Sequence, residues 1–241
     1  MIILDFNGLP GCGKSTYAKE VYDRLRSENV KCEFFNDNEY LETAQRNKKK
    51  IKFYIRILRF KNLIYAFKLL FKFRYKEKDF KRRIKLKDRI WKWIRIIILI
   101  DKIHFINKKE DIDVLIIDQG IVQDFTDYVL DKCISEEKIS SYSNKYMKLN
   151  KKIILVNLEI EEAISINRIK KRNRKKYDVD KMEIHELEIF LKQYSEKLKN
   201  VRKVFAKNFV NINLDVNKEE NLYYNVNKII KLIKESSEIR W

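Results

Sequence analysis

The chain has 241 residues, with 54 Lys/Arg against 35 Asp/Glu and a net charge of +19. That length suits one large α/β domain with an insertion, or two small domains. The longest uninterrupted apolar run, Ile96 to Ile100, is far short of the roughly 20 residues a membrane-spanning helix needs, which excludes an integral membrane protein of that kind.

The charge is unevenly placed. Residues 46–110 carry 24 Lys/Arg and only 5 Asp/Glu, so the entire excess lies there and the remainder of the chain is balanced. We read this composition boundary as an insertion over 46–110 in a core formed by 1–45 and 111–241. The one proline, Pro10, and the four glycines provide no flexible linker between the parts. Cys12, Cys32 and Cys133 stand at unrelated spacings, which supports neither a disulfide framework nor a metal site and points to a reducing cytoplasm.

In chain order, the first element is the apolar run Ile2-Ile3-Leu4 with Phe6, which predicts a short buried strand. No signal peptide is expected, because Gly8-Leu9-Pro10-Gly11-Cys12-Gly13-Lys14-Ser15 follows at once. This octapeptide fits the G-x-x-x-x-G-K-[ST] phosphate loop, and a helix is predicted from about 14 to 28. Glycines let consecutive backbone N–H groups turn toward one anion, and the helix directs the positive end of its dipole at the same place. Gly8, Pro10, Gly11, Cys12, Gly13, Lys14, Ser15 and Thr16 are therefore the candidate nucleotide-binding residues. Lys14 supplies an ammonium for the β- and γ-phosphates, and Ser15 supplies a hydroxyl ligand for Mg²⁺.

Residues 30–35 read as a second strand, ending in Asn36-Asp37-Asn38-Glu39. Strand ends on the phosphate-loop side are where an open parallel sheet gathers its ligands. Asp37 is a candidate base for an acceptor hydroxyl, with a helix N-cap as the alternative. Apolar positions recur at three- and four-residue steps through 48–106, predicting an antiparallel pair of helices with strongly basic faces. The segment 46–110 also holds 12 of the 30 aromatic residues. Three readings stand side by side: a helical lid with a solvated face, an anionic-membrane surface, and a nucleic-acid surface.

Asp113-Val114-Leu115-Ile116-Ile117-Asp118 has the continuous branched-apolar character of a strand buried on both faces. It reads as a Walker B strand, with Asp118 on the Mg²⁺ side of the site. Helices are expected over about 121–132, from Ser135, and over 161–172. Asp124 and Asp127 in the first of these could face an acceptor or simply solvent. A fourth strand is expected over 153–158. Arg168 and Arg172, four residues apart, share one helix face and suit a phosphoryl group in transfer, against the alternative of a solvated basic run. A long helix (182–206), a fifth strand (209–214) and a terminal helix (219–233) complete the series. Val216 and Asn217, after the last strand, mark a place for a nucleobase.

With these features in this order, residues 1–45 and 111–235 resemble the P-loop nucleoside and nucleotide kinases, thymidylate-kinase-like proteins among them. The resemblance implies a three-layer α/β/α fold with a five-stranded parallel sheet, order 2-3-1-4-5, and the basic helical insertion added to it. It implies ATP and Mg²⁺ as ligands and phosphoryl transfer to a small-molecule hydroxyl or phosphate acceptor. It places the acceptor at Asp37 or Glu39, mobile-lid arginines at Arg168, Arg172 and Arg174, and adenine near Val216. The chain departs from thymidylate kinases at Asp118-Gln119, where they usually follow the acid with arginine. Its Asn-Asp-Asn-Glu looks more like kinases that phosphorylate a sugar or a drug. A nucleotide-driven switch or scaffold remains the alternative. Asn217-Lys218-Glu219-Glu220 lacks the aspartate of a GTPase base-reading segment, and no Ser-Gly-Gly signature is present. The partners expected are a small-molecule acceptor, a membrane surface or nucleic acid through 46–110, and a second copy of the chain. The location expected is the cytoplasm, including the inner face of its membrane.

Overall fold

The computed structural model describes residues 1–35, 111–129, 140, 152–172 and 178–236, except the side chains of 124 and 127–129. The proposed insertion at 46–110, Asp37, Glu39, the helix expected from Ser135 apart from Ser140, and Arg174 lie outside the described residues, as do the side chains of Asp124 and Asp127.

Strand β1 (Ile2–Gly8) is buried along all seven residues and forms the middle of the sheet. It pairs in parallel with β3 (Val114–Ile117) on one side and with β4 (Lys152–Glu159) on the other. β2 (Cys32–Phe35) and β5 (Val210–Asp215) form the edges, giving the order β2-β3-β1-β4-β5. The order is the one expected. A parallel strand needs a crossover, and among the described residues the crossovers from β1 to β2, β3 to β4 and β4 to β5 each carry helices packed on the sheet.

Alternation along the strands divides the core in two. Ile3, Leu115, Ile117, Ile153 and Leu155 point to one face and pack with Val122 and Phe125 of α2 (Ile121–Val129) and with Leu198, Val201 and Phe205 of α5 (Ile184–Ala206). Leu4, Phe6, Ile116, Ile154 and Val156 point to the other. There they meet Ala18, Val21 and Leu25 of α1 (Lys14–Ser27) and Val226, Ile229 and Ile233 of α6 (Asn221–Ser236). Burial of one such branched side chain contributes about 1.5–3 kcal/mol, so these two faces hold the layers together. A smaller cluster of Ile169, Met182, Leu187 and Leu191 joins α3 (Glu162–Lys171), α4 (Asp178–Lys181) and the start of α5. No described helix is long and apolar enough to cross a membrane.

Element ends differ from expectation for local reasons. The second strand begins at Cys32, because Asn29 (φ 60°) and Val30 are used to end α1. Val30 N donates back to Leu25 O at 3.0 Å and Asn29 N to Arg26 O at 3.1 Å, which satisfies carbonyls the helix leaves open. The long helix starts at Ile184 after an extended Glu183, with the short α4 before it.

Candidate phosphate site

The loop between β1 and α1 is built by glycines that do different jobs. Gly11 (φ 87°) and Gly13 (φ 93°) occupy the left-handed region, which costs a side-chain-bearing residue energy and glycine little. Gly8 is glycine for space, since a Cβ there would lie 2.6 Å from Cys12 Sγ and 2.9 Å from Leu158 O. Gly13 is also the N-cap of α1, with no side chain capping the helix and no acid in its first turn. The first amides of α1 are thus left for an anion, and the dipole favours one.

Lys14 is buried, and its Nζ donates to Gly8 O (3.0 Å) and Leu9 O (3.1 Å), with Cys12 Sγ at 3.8 Å. The ammonium is held at the rim of the loop by carbonyls that a phosphate oxygen can replace. The Ser15 hydroxyl donates to Asp118 Oδ2 at 2.7 Å. The expected metal pair is therefore in contact, and a hydroxyl beside a carboxylate is the oxygen donor set that a hard cation takes. Asp118 is itself placed by its N–H, which donates to Phe35 O at the end of β2 (3.2 Å). Pro10 O accepts from the Ser165 hydroxyl, fastening the loop to α3. Cys12 is buried and Thr16 exposed.

Of the three candidate lid arginines, the two described go to different partners. Arg168 Nη2 donates to Asn217 O (3.2 Å), while Arg172 Nη2 stands 3.7 Å from Asp180 Oδ1. The segment Asp215–Asn217 is held on several sides. Val216 N donates to Glu159 O, Glu161 N to Asn217 Oδ1, and Asn225 Nδ2 to Asp215 O. Asn225 Nδ2 also donates to the Tyr17 hydroxyl (3.2 Å), whose pKa is raised by burial. The place expected for a base is thereby tied to the phosphate-loop helix.

Five polar residues escaped the sequence reading. Asp5, fully buried in β1, accepts from Ile121 N (2.9 Å), and Gly120 lies against its carboxylate. Gln123 Oε1 accepts from Gly8 N (3.1 Å), and its amide donates to the Tyr194 hydroxyl. Arg202 donates to Asn7 Oδ1 (2.7 Å), Asn7 O (3.1 Å) and Leu158 O (3.2 Å). Asn7 and Asn157 continue that contact along the sheet. A signal was present for some of them. Asp5 and Asn7 interrupt an apolar strand at alternate positions, and Arg202 follows Leu198 by four residues on the buried side of α5.

Fold and site together define a three-layer P-loop α/β protein, in which a strand, a glycine loop and a helix form the candidate phosphate cradle. No family model and no curated protein matches the chain. Among solved structures it is similar to a shikimate kinase from Bacteroides thetaiotaomicron, at 14% identity and a TM-score of 0.51, covering 97% of this chain and 98% of that one. It is also similar to a deoxyadenosine kinase from M. mycoides with bound dCTP, at 16% identity and a TM-score of 0.48, over 97% and 99%. At 14% identity the likeness to the shikimate kinase structure speaks to the fold alone.

Proposed function

We propose that the chain transfers the γ-phosphoryl group of ATP to a small-molecule hydroxyl or phosphate acceptor. The observation that carries this reading is the Ser15–Asp118 contact beside an uncapped helix start and a buried Lys14. Loop amides and Lys14 bind the β- and γ-phosphates, and Lys14 follows the charge that develops on the transferred group. Ser15 and Asp118 would hold Mg²⁺, which would supply charge neutralisation at the phosphates.

Asp37 takes the proton of the acceptor hydroxyl as its oxygen bonds to the γ-phosphorus and the bond to the β-phosphate oxygen breaks. ADP leaves with that electron pair. Arg168 and Arg172 exchange Asn217 O and Asp180 for phosphoryl oxygens, and Arg174 adds to the nucleotide side. The segment Asp215–Asn217 lies against the base. The free thiols of Cys12 and Cys32 suit a reducing compartment such as the cytoplasm.

The test is transfer of labelled phosphate from ATP to pooled nucleosides, nucleoside monophosphates, sugars, lipid headgroups and 5′-hydroxyl oligonucleotides. Label is expected in one pool, with Lys14→Ala at least about 100-fold slower. Tight ATP binding with no transfer to any pool would instead favour a nucleotide-dependent switch or scaffold that acts through the basic segment.

A further inference from the structure

We propose that Arg202 is a positioning residue for the phosphate loop, holding the end of β1 in the geometry that lets Lys14 and the loop amides grip a triphosphate. The inference rests on reading that loop as a nucleotide cradle. Arg202 stands on α5, far from the loop in sequence, and its side chain is only 14% exposed. Among the described residues its carboxylate partner is Glu159, 4.0 Å away and itself 56% exposed, so the ion pair is weak. The guanidinium is spent on the backbone instead. One nitrogen, Nη2, reaches both Asn7 O and Leu158 O, bridging β1 and β4 at the last rungs of their ladder, where Asn7 faces Asn157 and Gly8 faces Leu158. Burying a cation there is costly unless it is fully hydrogen-bonded, and an apolar side chain could fill the space without that cost.

What the arginine adds is control of the residue before Gly8. Around this point three backbone groups are claimed by side chains. Asn7 O is held by Arg202, Gly8 N by Gln123, and Gly8 O by Lys14. The carbonyl on which Lys14 rests is therefore one peptide away from the carbonyl that Arg202 grips. Arg202 also sets an amide row. A guanidinium only donates, so its Nε fixes the oxygen of the Asn7 amide and turns the NH₂ toward Asn157 Oδ1 (2.9 Å). Asn157 in turn donates to Asn213 Oδ1 at 2.7 Å. Three strand ends are thereby locked in register beneath the loop, and small misplacements of a phosphate cradle are amplified in rate and affinity.

The experiment compares Arg202→Met, Arg202→Lys and Asn7→Ala with Leu198→Ala, a buried apolar change one turn away on the same helix. MgATP affinity by calorimetry and the KM for ATP are read at a temperature well below every melting midpoint. Arg202→Met is expected to weaken ATP binding about 10- to 100-fold, with Arg202→Lys recovering part of the loss because an ammonium can still donate to one carbonyl. Asn7→Ala, which keeps the backbone acceptors, loses several-fold. Leu198→Ala loses melting temperature but not affinity. If Arg202→Met fails to fold, Arg202→Lys and Asn7→Ala decide the matter. Affinities within twofold of wild type in the folded variants, or a loss no larger than that of Leu198→Ala, would overturn the positioning role. Wild-type chain that binds ATP and transfers nothing overturns the kinase reading while leaving this comparison intact. Wild-type chain that binds no ATP overturns both.

Discussion

At the scale of single residues, the site depends on glycines whose absence of a side chain is used in two ways. Gly13 is strained for other residues by its φ of 93°, yet a Cβ there would find ordinary contact with the Tyr17 ring at 3.7 Å. Gly120 is the reverse. No positive φ is involved, but a Cβ would fall 1.9 Å from Asp5 Oδ1, inside the carboxylate that also receives Ile121 N. Asp5 is fully buried in the central strand and cannot swing away without abandoning that bond. Gly120→Ala should therefore cost about 2–4 kcal/mol, combining overpacking with a disrupted buried hydrogen bond. Urea unfolding measures it directly, and an unchanged midpoint would show that the strand end yields where we expect it to be stiff. None of this was visible in the sequence, because the residue that demands Gly120 is 115 positions earlier in the chain.

At the scale of elements, the apolar runs were legible and the polar fastenings between them were not. β1, β3 and β4 announced themselves by apolar runs, the mark of a strand buried on both faces, which in β1 only Asp5 and Asn7 interrupt. α1 was legible from its phosphate loop. Its last turn was not, since Val30 looks like the first residue of a strand and instead closes the helix. The contacts that seat one helix on another are also long-range. Glu28 at the end of α1 accepts from Lys234 of α6 at 2.9 Å and from Arg24 at 2.9 Å. The hydrogen bond from Lys234, more than any other contact, lowers the Glu28 pKa below its ordinary value. A depressed carboxylate contributes stability that is present above its unfolded pKa, about 4.3, and is lost as pH falls through the folded value. Both side chains are partly exposed, which holds the contribution below about 1 kcal/mol. Lys234→Met should therefore lower the urea midpoint slightly at pH 7, with the difference from wild type closing as pH falls from about 5 to 3. A difference that persisted at pH 3 would mean that Lys234 acts through packing alone.

At the scale of the molecule, the site lies where the two halves of the core meet the end of β1. α1 belongs to one layer. Asp118 follows β3, Gln123 and Arg202 come from helices of the other layer, and each touches the loop or the residues beside it. The fold was legible because the motif order along the chain matches a known architecture, and the strand order β2-β3-β1-β4-β5 agrees with it. The supporting shell was not legible, because pairs such as Arg202 with Asn7 arise only once crossovers have put α5 under β1. This arrangement has a thermodynamic consequence. A ligand held by groups from both layers binds the native state and not the unfolded chain, so it stabilises by RT ln(1 + [L]/Kd), about 2.7 kcal/mol at a hundredfold excess over Kd. For a chain of this size each kcal/mol raises the melting midpoint by about 2–4 °C, so saturating MgATP should raise it by roughly 5–10 °C. Lys14→Ala should remove most of that rise while barely changing the midpoint without nucleotide, because the lysine's present partners are carbonyls at the loop rim rather than core contacts. Differential scanning fluorimetry with ATP, with and without Mg²⁺, reads all three quantities. A wild-type midpoint that MgATP leaves unmoved would mean that the loop does not bind a triphosphate. A full rise retained in Lys14→Ala would mean that the loop amides grip it without the ammonium.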